Sequence, residues 1–399
     1  MRAPAELVLA LGVLAGLVVL ACTEPPPDLE PELPVREDAK PMMGGLVGSA
    51  TTLLPLSLKD GGFSDPANQA AISTALRAMD AHVTGLQDYA WGQDEGFAWL
   101  SRSLGRDVGD ARRAFDARRY DEARFRVQRL TVNCVACHSR LPADQESDLG
   151  DRLFASIDTK TMHPDELAQL QQATRQFEAA ATTYEGLLKE VPKDQNIARI
   201  WYFVDYLVLS VRVLGDLERP KAILAPYVDA KQLPSFVQRD VAAWLSALED
   251  LSKTPVAGDG PREAQLERAR GLIKQARTLS GSPSGREGLV HWIVASSLLN
   301  RYVEGRPERS AELAEAYWML GLAEARIGHS PWLSQAEYYL EAAVRAAPET
   351  TAAREALALL EWHLAVEYTG SGGERIPADV QAQLDALRTL VEQATRAPK

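Results

Sequence analysis

The stretch YDEARFRVQRLTVNCVACH, residues 120–138, decides the fold. Its apolar positions Tyr120, Ala123, Val127, Leu130, Cys134 and Cys137 recur every three or four residues. That is the stripe of a helix with one face turned to a core. Both cysteines continue the stripe and so face the interior, and Leu141-Pro142 ends the helix. Upstream, Ile72, Leu76, Met79, Val83, Leu86 and Ala90 have the same period, after a capping signal at Ser64-Asp65-Pro66. Shorter helical pieces are expected near 94–104 and 107–117. From about Asp65 onward strand alternation is nearly absent, and Ala, Leu, Glu and Arg dominate. The expected fold class is all-α.

The quoted stretch closes on Cys134-Val135-Ala136-Cys137-His138, the Cys-x-x-Cys-His signature of c-type haem attachment. Two thiols add across the two porphyrin vinyl groups. The two-residue spacer lets one helical turn present both sulfurs to one haem edge, and His138 then sits under the iron as proximal ligand. Rival readings have less behind them. A thioredoxin-like pair needs a βαβ context, and no strand pattern precedes the motif. Structural zinc wants four N/S ligands at close spacing, whereas the other histidines are scattered at 82, 163, 291, 329 and 363. A structural disulfide would close a very small loop. The expected cofactor is one covalent haem c.

The N-terminus fits an exported protein. The apolar run Leu7 to Leu20 is too short to span a bilayer and suits a signal peptide over residues 1–21. Val19-Leu20-Ala21-Cys22 resembles a bacterial lipoprotein signal, in which Cys22 is acylated and becomes the mature N-terminus. Thr23, rather than the Asp that often marks inner-membrane retention in that family, points to outer-membrane sorting. The expected location is the bacterial periplasm, anchored by lipid, and attachment of haem by this motif also takes place outside the cytoplasm. Residues 22–65 read as a tether. Pro25, Pro26, Pro27, Pro31 and Pro34 favour extended backbone, and Gly44-Gly45 and Gly61-Gly62 read as helix breakers. A net charge of −12 weighs against a nucleic-acid partner.

Residues 66–141 resemble the class II cytochromes c, the cytochrome c-prime and c-556 group, on the strength of the haem motif at the end of the last helix. The resemblance implies a four-helix bundle, here within a haem domain of residues 66–150. It also implies an axial methionine on the first helix where the iron is six-coordinate, a place Met79 matches. The second and third helices read as shorter than the family's. In an up-down bundle the start of the first helix lies beside the end of the fourth, so Met79 and His82 are both placed to face His138. His82, three residues on, shares that face, and imidazole is a strong iron ligand. The two weigh about equally, with a slight lean to His82. Met162 is a further, weaker candidate, because Met162-His163-Pro164 also reads as the start of the next helix. An open sixth position remains the other alternative. The segment 66–141 holds 11 Arg and no Lys, and Arg77 is placed to pair with a haem propionate.

Residues 151–399 resemble tetratricopeptide repeats. The best copy is Tyr317, Leu320 and Gly321 in one helix, then Ala336, Leu340, Ala343 and Pro348 in the next. A second copy is Ala180, Tyr184, Leu187 and Pro192. The resemblance implies an α-solenoid with a concave binding groove, closed by a polar helix near 377–396. Trp318, Trp332 and Trp362 are candidates to line it, although packing between helices is the commoner role. No acid pair, Ser-His arrangement or phosphate loop is evident. The expectation is therefore an electron carrier and not an enzyme. It would be a lipid-anchored periplasmic monohaem cytochrome docked on a redox partner through its repeats. A five-coordinate gas sensor, or a scaffold with structural haem, is the alternative.

Overall fold

The computed structural model describes residues 39–90, 95–140, 149–189, 200–253, 261–281, 285–304, 308–328, 335–370, 373–374 and 376–396. Cys22, the expected signal, Pro192, His329 and Trp332 lie outside them. Among the described residues the fold is all-α, apart from a two-residue pairing of Thr369–Gly370 with Gly373–Glu374. The described residues all belong to one compact unit.

Four helices come first: α1 (Lys40–Leu58), α2 (Gln69–Ala90), α3 (Glu95–Asp116) and α4 (Tyr120–His138). Each packs on the next, and α1 also packs on α4, which closes the ring. Leu53, Ile72, Leu76, Val83, Val108 and Val127 fill its centre. The ring begins earlier than the sequence suggested. Lys40 to Leu58, expected as tether, is helical despite Gly44, Gly45, Gly48 and Pro55. Helix propensity loses here to tertiary packing, because Met42 and Leu53 are buried. Gly45 is a point of close approach, not a break: a Cβ there would lie 2.3 Å from the His82 ring. The two short pieces expected near 94–104 and 107–117 are one helix of 22 residues, α3. Gly105, between those pieces, makes room for Gln87, whose Nε2 donates to the Ser101 carbonyl at 3.2 Å.

Next come α5 (Leu149–Ser156), a 3-10 turn at Thr159–Thr161, α6 (Pro164–Ala173) and α7 (Phe177–Leu188). Pro164 opens α6 and Asp165 and Glu166 complement its dipole, as the His163-Pro164 reading implied. Helix α5 packs on α1, and α6 on α4. The chain continues through α8 (Ile200–Leu207), which runs on as a π-helical stretch Val208–Val213, then α9 (Arg219–Val228), α10 (Ser235–Ser252) and α11 (Arg262–Leu279). It ends with α12 (Leu289–Glu304), α13 (Ala311–Ile327), α14 (Gln335–Ala346), α15 (Thr351–Glu367) and α16 (Ala378–Arg396).

From α11 to α15 each helix packs on its successor, with next-but-one contacts between α11 and α13 and between α13 and α15. Helix α12 is buried without interruption from Leu289 to Asn300. Gly321 lets α13 meet α14, since a Cβ there would lie 2.6 Å from the Leu340 side chain. Helix α14 also touches α3, where Trp99 and Tyr338 stand 6.0 Å apart.

Candidate functional site

The C-terminal turn of α4 opens on an apolar cavity that is partly open to solvent. Cys134, Cys137 and His138 line it together, as the α4 stripe required. All four ring helices supply walls, among them Leu46 and Leu54 of α1, Leu86 of α2, Leu100 of α3 and Leu130 of α4. Leu153 of α5 and Leu170, Ala173 and Thr174 at the end of α6 complete it. The site therefore draws on both sides of the boundary expected at residue 150.

His138 is held from outside the ring. Its Nδ1 lies 2.9 Å from the Ala173 carbonyl. A carbonyl only accepts, so Nδ1 carries the proton and Nε2 keeps its lone pair. Burial, with help from the Arg175 charge, pushes the imidazole pKa down to about 4, against the pull of the Ala173 bond. His138 is thus neutral at physiological pH, the form a metal needs.

Burial pushes the Cys134 thiol up to about 12, and the neighbouring Cys137 adds to the shift. No disulfide joins the two cysteines. A thiol raised this far is a poor thiolate nucleophile, which weighs against a thioredoxin-like pair. Among the described residues no group of three or more His, Cys, Asp and Glu is placed to hold a metal ion.

The distal candidates are treated unequally. Met79, on α2, is buried and lines the cavity. His82 is not among the lining residues; its ring packs on α1 at Gly45. Met162 packs on the small cluster of Leu153, Ile157 and Leu170 and does not reach the lining either. Arg77 bonds Ser73 of its own helix at 2.8 Å.

Two cavity residues escaped the sequence reading. Met43 sits in the first turn of α1 and lines the cavity with His138. The neighbouring pair Met42-Met43, in a chain with six methionines, was the available signal, hidden by the tether reading. Asn133, beside Cys134, is buried; its Nδ2 donates to Asp107 at 2.7 Å, while Oδ1 has no partner. A buried acceptor without a donor costs about 1–3 kcal/mol, so the Asn133 oxygen is open to a donor.

Trp362, in α15, is 57% exposed, and Trp318 is partly buried between α13 and its neighbours. No protein-family model, curated protein or solved structure matches this chain.

Proposed function

We propose that the chain is a monohaem c-type cytochrome that carries single electrons. The observation that carries this reading is the convergence of Cys134, Cys137 and a neutral His138 on one apolar cavity. The residues present fit a haem. Two adjacent thiols suit the two thioether bonds, and Nε2 of His138 suits the iron. Apolar walls suit the macrocycle, and the unpartnered Asn133 oxygen offers one polar contact. Bound haem supplies one-electron redox chemistry. The protein sets its ligands, its burial and its access to partners.

For the sixth ligand we infer a methionine. Met43 has the better position, since α1 is the first helix of the ring and its start faces the end of α4 in an up-down arrangement. Met79 is the second choice. His82 does not line the cavity and its ring packs on α1 at Gly45, which turns the proposal away from it.

The finer architecture belongs to the same reading. The four-helix ring serves as a class II-like haem bundle, and the following helix pairs serve as a tetratricopeptide-like solenoid. The close approach at Gly321 and the full burial of Ala180 and Tyr184 support the repeat assignment. Trp362 and Val366 lie one turn apart on α15, both 57% exposed, and suit an apolar contact with a redox partner. No helix among the described residues is long and apolar enough to cross a membrane. Cys22 supplies the lipid anchor on the outer membrane, facing the periplasm.

One experiment tests these parts together. Wild type, Cys137→Ala and Cys22→Ser are expressed in a host that matures c-type haem. Haem staining follows denaturing electrophoresis of membrane and soluble fractions. Wild type is expected to stain in the membrane fraction, Cys22→Ser in the soluble one, and Cys137→Ala hardly at all. Wild-type staining of Cys137→Ala ends the attachment assignment, and membrane-bound Cys22→Ser ends the anchor. On the stained protein, sharp low-spin reduced bands that ignore carbon monoxide are expected, with a far-red sulfur–iron band that Met43→Ala removes. High-spin spectra that shift with carbon monoxide make the protein a gas sensor instead.

A further inference from the structure

The carbonyl between the two haem cysteines is bound by a residue 199 positions away. The last carbonyls of an α-helix have no donors within the helix. At the end of α4, Val135 O takes the Ser139 amide at 2.8 Å, and Cys137 O takes the Arg140 amide at 3.5 Å. Ala136 O accepts instead from Gln335 Nε2 of α14, at 3.1 Å. The amide orientation is fixed by chemistry, because the reverse would set Gln335 Oε1 against a carbonyl oxygen.

Half-buried Gln335 stands beside a buried chain that begins at Tyr339. One turn on, the Tyr339 hydroxyl lies 3.4 Å from Gln335 Oε1 and donates to Asn300 Oδ1 of α12 at 2.7 Å. Asn300 Nδ2 reaches Ser296 Oγ at 3.3 Å. Ser296 Oγ donates to Glu324 of α13. Arg212, from the π-helical stretch, donates to both, to Ser296 at 3.0 Å and to Glu324 at 2.9 Å. Tyr339, Asn300, Ser296 and Arg212 are each at most 4% exposed. In so dry a setting hydrogen bonds are strong and directional, so a network of this kind favours one arrangement of its members, although Arg212 Nε has no partner in it. A π-helical segment often marks a functional place, and this one delivers Arg212 to the end of the chain.

We propose that Gln335 and Tyr339 are positioning residues of the haem site: they fix the Cys134–Cys137 turn against α14 and so tie the haem's environment to the packing of α12, α13 and α14. The inference rests on the haem reading above. A merely structural cap would stabilise the fold and leave the haem's electronic properties alone. A positioning role moves both.

The test uses full-length haem-loaded protein. Gln335→Leu keeps the bulk and loses the donor. Tyr339→Phe keeps the ring and loses the hydroxyl. Gln335→Glu puts an anion near the motif. The readouts are the midpoint potential, the Soret maximum and hydrogen exchange of residues 134–140, with melting temperature alongside. Gln335→Leu is expected to shift potential and Soret maximum and to speed exchange in that segment about tenfold, the fold-change of one lost hydrogen bond. Tyr339→Phe gives a smaller shift, and it remains readable should Gln335→Leu not fold. Gln335→Glu lowers the potential further, since an anion favours oxidised iron. Variants that melt earlier with wild-type potential, spectrum and exchange overturn the proposal and spare the haem reading. A wild type without covalent haem overturns both.

Discussion

Asp240 shows what one buried carboxyl does to this molecule. It lies on α10, 5% exposed. Burial lifts its pKa to about 6, and Glu287 pushes the same way, while Arg286 and Arg239 pull it down. Arg286 is itself drawn over the Trp201 ring, 4.1 Å from its centre. An unfolded aspartate titrates near 4 (about 3.9), so between about pH 4 and 6 the folded chain binds the extra proton. The contribution of Asp240 is therefore fully favourable below that window and is lost as pH rises through 6. Asp240→Asn removes this dependence. It is expected to stabilise the protein by about 2 kcal/mol at pH 7 and by almost nothing at pH 4. Melting curves at both pH values check this, and an equal gain at each would remove Asp240 as the cause. Residues of this kind are not legible in a sequence, because a pKa depends on neighbours far along the chain. Cys134, Cys137 and His138 were legible for the opposite reason. Their geometry is local to one helical turn, and the α4 stripe already turned both sulfurs inward.

At the scale of elements, the outcome at α1 separates what pattern reveals from what packing decides. The stripes of α2 and α4 have the full helical period and were readable as helices. Helix α1 was not, because its glycines and proline lower the propensity that pattern reading relies on. The physical purpose of Gly45 appears only once His82 stands beside it. The same reading decided which distal candidates came into view. With α1 read as tether, α2 became the first helix and drew attention to Met79 and His82, while Met43 went unconsidered. If α1 is part of the ring, a chain beginning at Lys59 loses Met42 and Leu53 from the core, with the partly buried Leu46 and Leu54 packed beside them. Each fully buried apolar side chain is worth about 1.5–3 kcal/mol, so the sum rivals a typical stability of about 5–15 kcal/mol. The truncated chain is expected to lose helicity beyond the 19 helical residues of α1 and to melt far earlier, or without cooperativity, by circular dichroism. A tether would leave the melt of the remaining body unchanged, and that result would return α1 to the linker.

On the scale of the whole molecule, the connections that make residues 36–399 one unit join positions no local pattern relates. Ala173 reaches His138, Gln335 reaches Ala136, Arg140 pairs with Glu304 at 3.2 Å, and Arg212 pairs with Glu324 across 112 positions. The repeat resemblance anticipated helix pairs with small residues at their contacts. It did not anticipate a buried ion pair among them. The Arg212 and Glu324 side chains are 4% and 9% exposed, so each charge relies on the other. Removing one partner strands the other in a dry interior, at a cost of about 3–5 kcal/mol, whereas replacing both with apolar groups of similar volume is often close to neutral. Arg212→Met and Glu324→Leu are each expected to lower the unfolding free energy by that amount, and the double variant by much less than the sum. Denaturant titrations of the four proteins give the coupling energy directly. Single costs that simply add would mean that the two groups are solvated separately, and the polar chain from Gln335 would then lack its far end. Strong coupling, with each loss appearing in one common transition for the ring and the following helices, would mean that a disturbance at α13 is felt as far as the turn that carries the two cysteines.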